Sequence, residues 1–300
     1  MLGAPGSGKT ATLKAVFSQL ESAGSSPEEI LVITPTRTAA TQLRDELSIE
    51  SEKVALSPRA RSITSLAFEV LKASQPEVQL ISGAGQQALI SELVLQAQQD
   101  KATSSWGFDS LTLGLAGFHN ELRDLFAVLT ENDLSDTALA ELQASWPNAK
   151  WQAAVDLLPK YLERLSSDSQ VDPSQLIIQA TKALTGYSAP AHVLVDDAQD
   201  LSAAGINFLL RLAEKSKLVV FGDPDSASLG FRASGSFGAS LKANRVDLQE
   251  LYLQPGENQP EEVRALMSRI VERIPTSEAF AHRPRAVSSN RMEYAVFDNQ

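Results

Sequence analysis

Close to its start the chain reads Gly3-Ala4-Pro5-Gly6-Ser7-Gly8-Lys9-Thr10, a glycine-rich stretch closed by a lysine and a hydroxyl residue. Few features restrict a fold more tightly. The glycines let successive backbone N–H groups come close to an anion, and Lys9 supplies a full positive charge. The Thr10 hydroxyl is suited to ligating Mg²⁺, and the N-terminus of a following helix adds favourable potential. Four constrained letters at this spacing arise by chance in a chain of this length on the order of once in a hundred. The bland alternative is a glycine-rich turn, and it leaves the helix that follows without explanation.

That helix is expected from Lys9 to about Glu21, with Leu13, Val16, Phe17 and Leu20 on one face. A Gly24-Ser25-Ser26-Pro27 turn then leads into Ile30-Leu31-Val32-Ile33, an unbroken apolar run of the kind buried in a parallel sheet. Helices are expected through Leu47 and from Thr64 to Lys72. The sheet pattern then stops. From about Gly85 to Thr185 the chain reads as helices broken by polar turns, with Trp106, Trp146 and Trp151 inside this block as core anchors. Buried strands resume at Val193-Leu194-Val195 and at Leu218-Val219-Val220-Phe221, separated by a helix near Ala203–Lys215. A last patterned helix starts at Pro260, carries Val263, Leu266, Ile270, Val271 and Ile274 on one face, and is followed by Pro275. Strands alternating with helices call for an α/β fold with a parallel sheet. The helical block reads as an insertion into it.

Composition excludes more than it proposes. The 300 residues include no cysteine, so disulfides and thiolate metal sites are ruled out, and the cytoplasm is the default compartment. His119, His192 and His282 form no ligand-spaced pair. No run of about 18 apolar residues suggests a membrane span. A net charge of −11 speaks against a protein that coats nucleic acid, yet residues 85–190 carry 6 basic and 13 acidic side chains and so supply most of it. A protein that grips a few phosphates in a cleft needs no basic exterior.

Two more strand ends carry polar residues. Asp196 and Asp197 follow a buried strand, where one carboxylate can hold Mg²⁺ and its neighbour can orient or deprotonate a water. Gly222-Asp223-Pro224-Asp225 follows the next, with Gly230-Phe231-Arg232 beyond it. The carboxyl edge of a parallel sheet is where α/β folds place ligands.

Taken in order, these segments resemble the motifs of UvrD/Rep-type superfamily 1 DNA helicases, over nearly the whole chain. Gly3 to Thr10 is similar to motif I. Thr34-Pro35-Thr36-Arg37-Thr38-Ala39-Ala40 with Leu43 is similar to motif Ia, which touches single-stranded DNA. Ile63-Thr64-Ser65-Leu66-Ala67 resembles the TFHSLA motif, Val195-Asp196-Asp197-Ala198-Gln199-Asp200 motif II, and Gly222 to Arg232 motif III. The wording of the last two is similar to AdnA/AdnB-type helicase–nuclease subunits. The resemblance implies a P-loop NTPase with a RecA-like parallel sheet and an inserted helical subdomain. The motor domain (1A) would span residues 1–84 and 191–280, the insertion (1B) residues 85–190, and residues 281–300 the start of a missing second motor domain. It implies ATP held by Gly3, Ala4, Pro5, Gly6, Ser7, Gly8, Lys9 and Thr10, and Mg²⁺ at Thr10 and Asp196. Asp196 and Asp197 would be the catalytic pair, and Thr34, Thr36, Arg37, Thr64, Phe231 and Arg232 the DNA contacts. Single-stranded or partly duplex DNA is the implied partner, with a second helicase or nuclease subunit beside it and no membrane.

The departures point the other way. Asp197 stands where the family has glutamate, Ser226 where it has a γ-phosphate-sensing glutamine, and Leu229 where it has tyrosine. Gln254-Pro255-Gly256-Glu257 lacks the motif IV arginine, motifs V and VI are not found, and only Met1-Leu2 precede the loop, so the first strand is expected to be missing. Two readings therefore stand: an ATP-dependent DNA translocase of repair or recombination in truncated form, and a nucleotide- and DNA-binding partner subunit with little or no hydrolysis. A phosphate-loop kinase of another kind leaves the motif Ia and III segments unexplained.

Overall fold

The computed structural model describes residues 1–51, 59–132, 141, 144–145, 152–223, 226, 249–253, 260–271 and 273. In chain order its principal elements are α1 (Lys9–Ser22), β1 (Ile30–Thr34), α2 (Arg37–Glu50), β2 (Ala60–Ser62), α3 (Ile63–Ser74), β3 (Gln79–Leu80), α4 (Gly83–Gln99), α5 (Ser110–Leu113) and α6 (Ala116–Glu131). There follow α7 (Gln152–Ser167), β4 (Gln170–Val171), α8 (Pro173–Ala183), β5 (His192–Val195), α9 (Ala203–Leu212), β6 (Lys217–Val220) and α10 (Glu261–Val271). The chain divides into two compact units, Met1–Leu66 with Leu184–Gln300, and Ala67–Ala183.

The first unit is built on a four-stranded sheet in the order β2-β1-β5-β6. Every pairing is parallel, with Val32 opposite Ala60, Ile33 opposite Val195, and Val195 opposite Val220. All five residues of β1 are buried, as a strand covered on both faces requires. Leu13 and Phe17 of α1 and Leu43 and Leu47 of α2 pack on Ile30, Val32, Leu194 and Phe221, which lie on one face of the sheet. This is the mixed α/β architecture with a parallel central sheet that the sequence calls for.

One expectation needs correcting. The first strand is not wholly missing, because Leu2 bridges Gly222 on one side and Tyr252 on the other, both in parallel sense. Two residues suffice for this: Leu2 N–H donates to the Leu251 carbonyl at 2.7 Å, Leu253 N–H to the Leu2 carbonyl at 2.7 Å, and Gly3 N–H to the Gly222 carbonyl at 3.2 Å. The glycine-rich loop therefore leaves from the sheet itself.

The second unit has a helical core. Ile90, Leu93 and Val94 of α4, Leu122, Phe126 and Leu129 of α6, and Leu157, Tyr161 and Leu165 of α7 close around Trp106. Trp106 is buried, and its indole N–H donates to Asp156 Oδ2 at 2.8 Å, so it anchors the core as expected. Trp146 and Trp151 lie outside the described residues. A two-residue parallel ladder, Gln79 opposite Gln170 and Leu80 opposite Val171, was not legible in the sequence because neither segment is long enough to show a period. The helix that begins after Pro260 is present, with Glu261 and Glu262 in its first turn. Its Val263, Leu266 and Ile270 are exposed, while Ile274 and Pro275 fall outside the described residues. No helix among the described residues is long and apolar enough to cross a membrane.

A buried ion pair ties α1 and α2 to the strand that follows them. Arg59 and Glu21 approach to 3.7 Å with side chains only 4% and 9% exposed. Ser51 donates to Glu21 Oε1 at 3.0 Å, and Arg59 lies over the Phe17 ring. Removing one partner leaves the other charge buried, which typically costs about 3–5 kcal/mol. Glu21→Ala is therefore expected to lower the stability of the first unit by about 3 kcal/mol. Neither Met1–Leu66 nor Leu184–Gln300 contains a tryptophan, so far-UV circular dichroism in urea, not fluorescence, is the measurement. A loss below about 1 kcal/mol, the range of exposed pairs, would contradict this role.

Candidate functional site

The glycine-rich loop closes on itself through Ser7 N–H, which donates to the Ala4 carbonyl at 3.0 Å. Gly6 and Gly8 have φ of 76° and 83°, the left-handed region that costs glycine nothing. At Gly3 the demand is for space: a Cβ there would meet Ser7 Oγ at 2.2 Å. Lys9 folds back over the loop, its ammonium donating to the carbonyls of Gly3 at 2.9 Å and Ala4 at 3.3 Å. Ser7 Oγ is buried and has no hydrogen-bond partner, an arrangement that costs free energy unless a ligand atom completes it.

From α1 the Thr10 hydroxyl reaches across to β5 and donates to Asp196 Oδ2 at 2.8 Å. The sequence places these residues 186 positions apart, and the sheet brings them together. Asp196 is 5% exposed, and its other oxygen accepts the Asp197 N–H at 3.1 Å. Burial pushes the Asp196 carboxyl above its ordinary range, against the lowering effect of the Thr10 hydrogen bond; the neighbouring Asp197 carboxylate raises it further and Lys9 lowers it. A buried carboxylate so disposed, beside a hydroxyl and a lysine, is chemically matched to a hard divalent cation bound with phosphate. The residues present fit Mg²⁺ and a nucleoside triphosphate.

Asp197 has φ 46° and ψ 43°, a conformation uncommon outside glycine and asparagine or aspartate. Its Oδ1 accepts from Gln199 Nε2 at 3.2 Å, and Gln199 Oε1 in turn accepts the Asp223 N–H at 3.0 Å. Ser226 N–H and Oγ both donate to the Asp223 carbonyl, at 3.2 and 3.3 Å. The ends of β5 and β6 are thus joined through side chains as well as through the Ala198 N–H to Phe221 carbonyl bond of 3.1 Å. The sequence assigns Gln199 no role beyond its place in the Val195–Asp200 motif, since an uncharged amide gives no electrostatic signal.

The other sequence candidates separate. Thr34 is corrected: it is 1% exposed and its hydroxyl donates to the Thr36 carbonyl at 2.9 Å, so it shapes the turn after β1 and offers no accessible contact. Thr36 is exposed but caps α2, accepting from Ala39 N–H at 3.2 Å. Thr64 is half-buried in the first turn of α3. Arg37 is exposed and lines a groove of about 320 Å³ that also takes in Arg44, Arg61, Ser62 and Ser65. Arg61 and Ser62 escaped sequence reasoning because β2, only three residues long with an arginine at its centre, does not look like a strand; Arg44 of α2 and Ser65 of α3 reach the groove only once β2 lies between them. Leu229, Phe231, Arg232 and residues 254–257 lie outside the described residues. His119 is buried with Nε2 2.9 Å from the Leu113 carbonyl, and no group of three or more metal-type side chains occurs among the described residues.

Residues 1–246 match the family model described as the UvrD/REP helicase N-terminal domain. No curated protein matches the chain.

A buried carboxylate whose folded-state pKa is raised destabilises the fold increasingly as pH rises through that window, because the unfolded chain ionises more readily. Asp196→Asn keeps an acceptor for Thr10, gives up the one for the Asp197 N–H, and removes the buried charge. It is expected to raise the melting temperature at pH 8 by about 2–4 °C, to give a smaller gain at pH 5, and to remove the Mg²⁺ dependence of nucleotide affinity. Differential scanning calorimetry at both pH values, with and without Mg·ADP, checks the three together. A variant less stable than its parent at pH 8 contradicts the electrostatic reading.

Proposed function

The chain belongs to the UvrD/REP helicase N-terminal domain family, a family of ATP-dependent DNA helicases, and on that premise we propose that it binds Mg·ATP at the glycine-rich loop and single-stranded DNA at the opposite flank of the same sheet edge. The observation that carries the reading is the Thr10–Asp196 hydrogen bond of 2.8 Å, which joins the loop to the acidic strand end. In this reading Gly3, Ala4, Pro5, Gly6, Ser7 and Gly8 cradle the phosphates with backbone N–H groups. Lys9 exchanges its two carbonyl partners for phosphate oxygens. Thr10 and Asp196 would hold Mg²⁺, which would supply positive charge beside the phosphates. Bound Mg·ATP supplies the terminal phosphoryl group to be transferred to water. Asp197, fixed by Gln199, accepts a hydrogen bond from that water and orients it. Being one methylene shorter than glutamate, it reaches less far.

On the DNA side the reading rests on the groove lined by Arg37, which the sequence expects at DNA, and by Arg44 and Arg61, both of which we add beyond the sequence expectation. Phe231 and Arg232 further along the chain, with Thr36 and Thr64, complete the proposed contacts. Phosphate contacts of this kind give sequence-independent, salt-dependent binding. We take the Ala67–Ala183 unit to correspond to the helical insertion that the sequence resemblance puts at residues 85–190. The proposed setting is DNA repair or recombination in the cytoplasm, alongside a second motor or nuclease subunit of the AdnA/AdnB kind.

That partner matters for turnover. Among the described residues one parallel sheet carries a phosphate loop, whereas translocation needs two motor domains closing on ATP. A cationic finger at the transferring phosphoryl group is worth about 10³–10⁵ in rate. The 300-residue chain is therefore expected to hydrolyse ATP slowly and not to displace a DNA strand. Robust turnover stimulated by single-stranded DNA, from this chain alone, contradicts that. For the DNA surface, fluorescence anisotropy with a labelled oligonucleotide should show Arg37→Ala/Arg61→Ala weakening binding. The log–log salt slope should fall by about 0.7 per arginine removed. An unchanged slope places DNA elsewhere.

A further inference from the structure

In the second unit, α4 and α6 leave a groove of about 640 Å³ between them. Small residues keep it open: Ala84 and Ala88 of α4, Gly114, and Ala116 at the start of α6. Leucines stand at its margins. Leu115, between two of these residues, is 58% exposed, and Leu111, four residues earlier, is 84% exposed. Leu95, one turn along α4 from the lining Ser91, is 54% exposed. Residues 85–190 carry 13 acidic side chains against 6 basic, yet no acidic residue lines the groove. Arg123 and His119 do line it. Arg123 donates to Asp124 Oδ1 at 3.4 Å, a bond that occupies one of the five donors of its guanidinium. The N-terminus of α6 adds positive potential, because Leu115 in the N-cap position offers no side-chain acceptor to the first turn. His119 is 7% exposed, with Nε2 2.9 Å from the Leu113 carbonyl. A carbonyl only accepts, so the neutral ring carries its proton on Nε2. Nδ1 then keeps a lone pair that has no partner among the described residues.

We propose that this groove is a docking site for an acidic, leucine-bearing peptide segment of another protein. Each part of the groove answers one part of such a segment. Carboxylates meet the Arg123 guanidinium and cap the first turn of α6, which its own chain leaves uncapped. Apolar side chains pack over the small residues and against the exposed leucines, removing apolar surface of both partners from water. A backbone N–H of the segment donates to His119 Nδ1. A nucleic-acid strand matches the groove less well. Its phosphodiester backbone presents acceptors and no donor for Nδ1, and no Phe, Tyr or Trp lines the groove to stack a base. The absence of lining carboxylates inside an acidic stretch is what an acidic occupant requires, since a like charge facing it would be repelled.

Two substitutions at exposed helix positions test charge and shape separately. Ala84→Glu brings a carboxylate into the groove at the first turn of α4, where negative charge favours the helix and the fold is kept. Ala88→Trp fills the groove from its solvent side without entering the core. The probe is a fluorescein-labelled peptide of alternating Glu-Glu and Leu-Leu pairs, titrated into the full chain and followed by anisotropy. Saturable binding to the parent is expected, with a Kd at least tenfold weaker in each variant while both melt as the parent does. The peptide should move the amide resonances of Ala84, Ala88 and Gly114, and its lysine–leucine counterpart should bind at least tenfold more weakly. Absence of saturable binding overturns the proposal, as does parent-like affinity in either variant or equal binding of the lysine peptide. An oligothymidylate whose own binding is lost in both variants would assign the groove to nucleic acid, and would overturn the proposal equally.

Discussion

The parallel pairing of β1 with β5 is the constraint from which the rest of the first unit follows. Ile30 lies opposite His192 and Ile33 opposite Val195, so the chain must leave the sheet after α3, complete another compact unit, and return in register. Side-chain period in a strand is two, and a slip of one residue would turn Leu194 out of the face it shares with Ile30 and Val32. Correct register delivers Asp196 to the sheet edge, where its N–H bonds the Ile33 carbonyl at 2.9 Å and its carboxylate receives Thr10. The loop, the acidic pair and the Asp223 turn are then neighbours because of the sheet, not because of their own sequences.

The site so assembled is under electrostatic tension. Asp196 is buried beside the Asp197 carboxylate, which raises its pKa further, while Lys9 draws it down. Lys9 meanwhile spends its hydrogen bonds on the carbonyls of its own loop. Such an arrangement lowers the stability of the free protein, and a divalent cation bound with a polyanion would relieve it. Stability given up at a site in this way is a usual companion of binding function.

Much of this was readable in the residues. Gly3 to Thr10 announced the loop, and unbroken apolar runs at Ile30–Ile33 and Val193–Val195 announced buried strands, because both signals are local. What could not be read depended on long-range placement. Thr34 looked like a contact residue within its motif, yet the turn folds its hydroxyl inward. Arg44 and Arg61 lie on different elements and share a groove only once β2 docks beside β1. Leu2 seemed too little chain to make a strand, and it is held on both sides by backbone bonds that no side-chain pattern encodes. Gln199 acquires meaning only from the distance between two strand ends.

The central claim is that the loop and Asp196 form one Mg·nucleotide site. Isothermal titration of Mg·ADP into the parent chain and into Lys9→Ala tests it most directly. Removing a charged hydrogen-bond donor at a phosphate should weaken binding by at least about 1.5–3 kcal/mol. The account predicts saturable, Mg²⁺-dependent binding by the parent and at least a tenfold weaker Kd for Lys9→Ala. Equal affinities, or a parent that binds equally well without Mg²⁺, would contradict it.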